Sequence, residues 1–144
     1  MKILSLLVSV SLGMGLQGNA CAASITYACP QSIPEASVRL IPPGQGWKPF
    51  VASPLYLSGA APADGPPERL GVLRENGATR TAAGWTHQYS LAGPFPEGKW
   101  LRCDYGSLGE VSLAKRLPDG ILDCTVTGKK GEHAGENQLT IQCP

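Results

Sequence analysis

Two histidines, His87 and His133, are the chain's only imidazoles, so acid–base or metal chemistry near neutral pH would have to be built around one of them. His87 stands in Trp85-Thr86-His87-Gln88-Tyr89. Strand alternation puts it on one face with Trp85 and Tyr89, and the local sequence supplies neither an orienting carboxylate nor a nucleophile. That setting favours a histidine beside aromatics over a catalytic one. His133 belongs to the most polar segment, Lys129-Lys130-Gly131-Glu132-His133-Ala134-Gly135-Glu136-Asn137. There Glu132, His133 and Glu136 have the donor types for a divalent ion but not the spacing of a metal motif. A flexible glycine-bearing hairpin tip would hold them loosely, which argues against a metal site. The same place suits recognition, because a loop projected from a rigid sheet presents side chains to a partner. Lys129, Lys130, Glu132, His133 and Glu136 are therefore candidate partner-binding residues, with no catalytic residue, metal or cofactor assigned.

Thiols are the other reactive groups. Five cysteines are present, Cys21, Cys29, Cys103, Cys124 and Cys143. The first follows an apolar run from residue 3 to 16, preceded by Lys2 and leading to Ala20-Cys21-Ala22, a pattern that reads as a secretory signal peptide over residues 1–22. Cleavage there leaves four cysteines spread over residues 23–144, as expected of a disulfide framework in the periplasm. The apolar run is shorter than the roughly 20 residues needed to span a bilayer, so no membrane span is expected. Lipidation at Cys21 is disfavoured because Gly18 stands where a large aliphatic residue is wanted.

The length of residues 23–144 suits one domain. Without Lys2, the basic side chains equal the 11 acidic ones, so nothing in the charge points to nucleic acid. No polybasic cluster exceeds Lys129-Lys130, so none marks a membrane surface. Eighteen glycines and 13 prolines leave helices little room and indicate many turns.

Positioning falls to strands. Alternation predicts a strand over residues 24–29 and a second over 38–41, followed by an irregular surface with edge strands between Pro42 and Pro67. Residues 68–75 form a strand or one helical turn after Pro66-Pro67, and Asn76-Gly77 marks a tight turn. Strand-like runs at 82–91, 99–105, 111–117, 121–127 and 138–143 then form an antiparallel meander. The expected fold is all-β, a single antiparallel β-sandwich or barrel-like meander with two disulfides.

Of three possible pairings, the meander favours Cys124–Cys143 across the last two strands, leaving Cys29–Cys103. A Cys103–Cys124 bond would reach across the intervening strand, about 10 Å at a strand spacing near 4.8 Å. A sheet that folds over would reopen that choice. With all thiols bonded, no cysteine nucleophile remains. Trp85 and Trp100 are expected to pack. Trp47, between Gly46 and Lys48 in the irregular stretch, is expected to be partly exposed and joins Tyr56 as a candidate partner-binding residue, since exposed Trp, Tyr and Arg are frequent interface anchors.

The order Cys29-Pro30, Gly46-Trp47, Asp64-Gly65-Pro66-Pro67-Glu68, Trp85, Lys99-Trp100-Leu101-Arg102-Cys103-Asp104-Tyr105, then Cys124 and Cys143, resembles a family of small exported proteobacterial periplasmic proteins, some near type VI secretion genes. The resemblance covers nearly all of residues 23–144 and implies no catalytic residues. It implies that some members protect their host by blocking an incoming cell-wall-degrading effector. A second likeness is to periplasmic lysozyme inhibitors, through Tyr27-Ala28-Cys29. Here Ser58-Gly59 is followed by Ala60-Ala61-Pro62, without the ring those inhibitors carry. The resulting expectation is a non-enzymatic periplasmic protein that binds a hydrolase or effector and occludes its cleft, as an immunity protein. A lysozyme-type inhibitor and a small-ligand or envelope-stress binding protein are the alternatives. A ligand binder would show a deep apolar pocket, and an enzyme two titratable groups converging in a cleft.

Overall fold

Nine strands run through residues 25–144, which the computed structural model describes: β1 (Ile25–Tyr27), β2 (Ser32–Ile33), β3 (Leu55–Asp64), β4 (Gly77–Thr81), β5 (Gly84–Ser90), β6 (Lys99–Tyr105), β7 (Val111–Arg116), β8 (Asp123–Lys130) and β9 (Asn137–Cys143). The expected signal peptide and Cys21 lie outside the described residues. Among those residues there is no α-helix, and so none long and apolar enough to cross a membrane, only short 3₁₀ turns at Glu35–Ser37 and Pro67–Arg69. All pairing is antiparallel. One sheet has the order β1-β9-β8-β5-β4, the other β2-β3-β6-β7.

The two sheets close on a shared apolar layer, which makes the fold sandwich-like. Alternation on β6 sends Leu101, Cys103 and Tyr105 inward, while β8 and β9 contribute Cys124, Val126, Ile141 and Cys143. Leu57, Tyr89, Leu91, Leu117 and Ile121 complete the centre. Tyr105 is fully buried, and its hydroxyl donates to Pro30 O at 2.9 Å, so the ring brings no unpaired polar atom inside. Lys99 is also buried: its ammonium donates to the carbonyls of Asp119 and Ile121 and lies 5.5 Å from the Phe95 ring centroid. Those bonds fasten the crossing from β7 to β8.

The disulfides divide the work between layers. Cys29–Cys103 ties the segment after β1 in the first sheet to β6 in the second, over 74 residues of sequence. Cys124–Cys143 joins the neighbouring strands β8 and β9, with Cα atoms 4.2 Å apart and a sequence separation of 19.

The structure departs from the sequence-based expectations in four places. Residues 38–41 form no strand, because no neighbouring strand pairs with them and Pro42-Pro43 removes the next two donors. Within the stretch expected to be irregular, β3 is a ten-residue strand flanked by β2 and β6. Pro62 is tolerated there because its carbonyl side faces away from β6, where Leu73 N–H reaches it at 3.0 Å. The Asn76-Gly77 turn is replaced by β4, which enters a hairpin around Ala82-Ala83. Thr81 closes that hairpin, its hydroxyl accepting from Ala83 N–H and donating to Gly84 O. Finally, the meander is interrupted. β6 leaves β5 to pair with β3, and β8 returns to β5, so the chain crosses between sheets twice after residue 90.

Candidate functional site

The hairpin joining β8 and β9 is organised by one side chain. Glu136 is buried although it belongs to the most polar stretch of the chain. Its Oε2 accepts the backbone N–H groups of Glu132 at 3.0 Å and His133 at 2.9 Å, and lies 2.7 Å from His133 Nδ1. Its Oε1 accepts from Gln31 Nε2 at 3.1 Å. Donation by the His133 N–H, followed by its imidazole, pulls the Glu136 carboxyl down to about 2. Gly131 is required beneath it, since a Cβ there would meet Glu136 Cγ at 2.5 Å.

The tip is also fixed to the opposite sheet. Gln31 Nε2 donates to Asn137 O at 3.0 Å, and Asn137 Nδ2 donates to Ser58 O on β3. The Tyr56 ring, also on β3, stacks on the His133 imidazole at 4.0 Å between centroids and 8° between planes. A loosely held tip was expected; the tip is instead preorganised, because a desolvated carboxylate with four donors leaves it few alternative conformations.

This geometry presents one face of Tyr56 and His133 beside a shallow groove lined by Ser53, Leu55, Gly106, Ser107 and Gly135. A histidine–carboxylate pair next to serines invites comparison with a hydrolase. Ser107 Oγ, however, is turned to Glu110 Oε1 at 3.5 Å. No cluster of three metal-ligating side chains occurs among the described residues. The stacked Tyr56–His133 pair is thus held in place by a buried anion.

The other expected partner-binding residues fall into three places. Lys129 and Lys130 end β8 and line a groove with Arg80 and Trp85. None of these three cations has a carboxylate partner among the described residues. Glu132 is exposed, its backbone serving Glu136. Trp47 belongs to a separate loop and is 72 % exposed. His87 sits between Trp85 and Tyr89, at 4.5 and 6.4 Å between ring centroids, as alternation predicted. Trp85 packs against the core, whereas Trp100 sits on the opposite face of β6 from Leu101 and Cys103 and donates to Glu97 O.

Sequence reasoning missed Gln31, Ser58 and Asn137, which hold the tip, and Arg80, which adds to the lysine pair. Gln31 and Glu136 are 105 residues apart, and no local pattern links them. For Arg80 a signal did exist, because strand pairing of 77–81 with 84–88 aligns it with Trp85.

No curated protein and no solved structure matches the chain. A family model described as "Type VI secretion system Tli immunity protein" matches residues 52–144. The matched span contains β3 to β9, and with them Tyr56, Ser58, both hairpin lysines, His133, Glu136 and three of the four bonded cysteines. The chain belongs to the type VI secretion system Tli immunity protein family and is, as such, an inhibitor rather than an enzyme.

Proposed function

We propose that this protein neutralises a lipase effector of type VI secretion in the periplasm by covering its active-site cleft with the Tyr56–His133 surface. Immunity proteins of the Tli kind inhibit lipase effectors, which supports a lipolytic target over the cell-wall-degrading enzyme implied by the initial resemblance. The reading is carried by one observation: the hairpin tip is locked by Glu136 and stacked on β3, so a partner meets a surface that pays little ordering entropy on binding. Lys129, Lys130 and Glu132 extend that surface, while Glu136 acts from beneath it. The two disulfides fit an oxidising compartment, and residues 1–22 would supply the export signal. The depressions among the described residues are surface grooves, which favours protein recognition over enclosure of a small ligand.

The test is inhibition of the purified cognate effector on a water-soluble ester. The unchanged protein should abolish turnover at stoichiometric ratio. Alanine changes at Tyr56, His133, Lys129, Lys130 and Glu132 should together raise the inhibitory concentration at least roughly tenfold, with the fold preserved. Full inhibition by the multiple variant would place the contact elsewhere. An effector unaffected by the unchanged protein would overturn the reading itself.

A further inference from the structure

We infer that the loop between the 3₁₀ turn and β3 is a membrane-contact device that seats the protein on an anionic phospholipid surface. Four large apolar side chains project from it: Ile41 is 93 % exposed, Phe50 82 %, Trp47 72 % and Leu40 51 %. The two limbs of the loop run beside each other, since Val38 and Ile41 share a shallow depression with Pro49, Phe50 and Val51. Trp47 stands on the turn between the limbs, where Gly46 adopts a left-handed backbone (φ 86°). Ile41, Trp47 and Phe50 are thus exposed apolar side chains of one loop.

The charge of the tip selects its occupant. Glu35 also lines the depression, but from residue 36, just after it, to 63 the chain has no Asp or Glu, and its only charged side chains are Arg39 and Lys48. Neither has an ion-pair partner among the described residues. Tryptophan and phenylalanine with flanking cations are what the interface between acyl chains and anionic headgroups accommodates, the rings entering the apolar boundary and the cations meeting phosphate. A protein pocket for an apolar plug would not require the cations. No hydrogen bond ties residues 39–54 to the sheets among the described residues, so the tip is free to adjust to a soft surface. The family match begins at residue 52, so the tip precedes the matched span. This assignment is independent of the identity of the inhibited enzyme.

Flotation tests it, using protein recovered from the periplasm with its disulfides intact and vesicles of phosphatidylethanolamine and phosphatidylglycerol. The unchanged protein should float with these vesicles and several-fold less with phosphatidylcholine alone. The variant Ile41→Ser, Trp47→Ser, Phe50→Ser should lose at least roughly tenfold in partitioning while keeping its near-ultraviolet circular dichroism. Replacing Arg39 and Lys48 by Gln should cost several-fold and remove the preference for anionic vesicles. The proposal is overturned if the unchanged protein stays at the bottom of the gradient, or if the triple variant floats equally well. Loss of inhibition of the effector on a water-soluble ester by that variant would also overturn it, since the tip would then be gripping the enzyme. An effector that neither protein inhibits would count against the proposed function and leave the flotation result standing.

Discussion

The hairpin tip 131–136 and the loop 39–54 are both non-repetitive segments with glycines, and both were expected to be places of contact, yet they are built on opposite plans. In the hairpin, a buried carboxylate collects two backbone donors, an imidazole and a glutamine, and the imidazole stacks on a tyrosine of the other sheet. In the loop, the large side chains point to solvent and no hydrogen bond fastens the backbone among the described residues. The difference teaches that polarity does not equal looseness. A polar segment becomes rigid when its charge is desolvated and fully paired, whereas an apolar one stays unfixed when it has no core to join.

The comparison is broken most severely at the frame beneath both segments. Replacing Cys29 and Cys103 by Ser should cost about 4 kcal/mol, and replacing Cys124 and Cys143 about 3 kcal/mol, following the longer and shorter loops they close. Chemical denaturation of the two double variants would read this ranking, and a reversed order would mean that cross-linking of the unfolded chain is not the main contribution.

The next largest effect is confined to the tip. Glu136→Gln and Gly131→Ala should both release it, the first by removing the anion and the second by displacing it, with effector affinity falling at least roughly tenfold. Hydrogen exchange at Glu132 and His133 should rise while exchange in β6 stays unchanged. Acid should do the same. Because the folded state lowers the Glu136 carboxyl from its ordinary 4.5 to about 2, its contribution is whole above pH 4.5 and lost as the pH falls toward 2. Tip protection that disappears already near neutral pH would exclude Glu136 as the organiser.

Smaller again is the stack. A double-mutant cycle between Tyr56→Ala and His133→Ala should give a coupling of about 1 kcal/mol, and additivity would show that the two rings do not support each other. The smallest effect belongs to the loop. Trp47→Ser or Phe50→Ser should shift folding stability by less than about 0.5 kcal/mol in thermal unfolding, since neither side chain is in the core. A larger loss would mean that the loop packs after all and would erase the contrast.

Much of the frame was legible in the sequence. The alternation of Lys99-Trp100-Leu101-Arg102-Cys103-Asp104-Tyr105 marked β6 to the residue, because a strand with one buried face has period two. The exposure of Trp47 and the aromatic row around His87 followed from the same kind of local reasoning. What escaped was long-range. Strand order after residue 90 depends on which sheet each strand joins, and hairpin patterns do not encode that choice. The interior strand β3 escaped because the side that the missing donor of Pro62 faces is set by Leu73, not by its neighbours in sequence. Glu136 was recognised as a polar tip residue, but its burial depends on Gln31, brought across from the other end of the described residues.

The two disulfides join the four cysteines of the described residues in consecutive pairs, first with second and third with fourth. For a chain threaded through a membrane from its amino terminus, that order has a biosynthetic meaning. In the export proposed above, Cys103 would be the first of these thiols to follow Cys29 across, and Cys143 the first to follow Cys124. An oxidase that simply joins cysteines as they arrive would therefore make the native bonds without later shuffling by an isomerase.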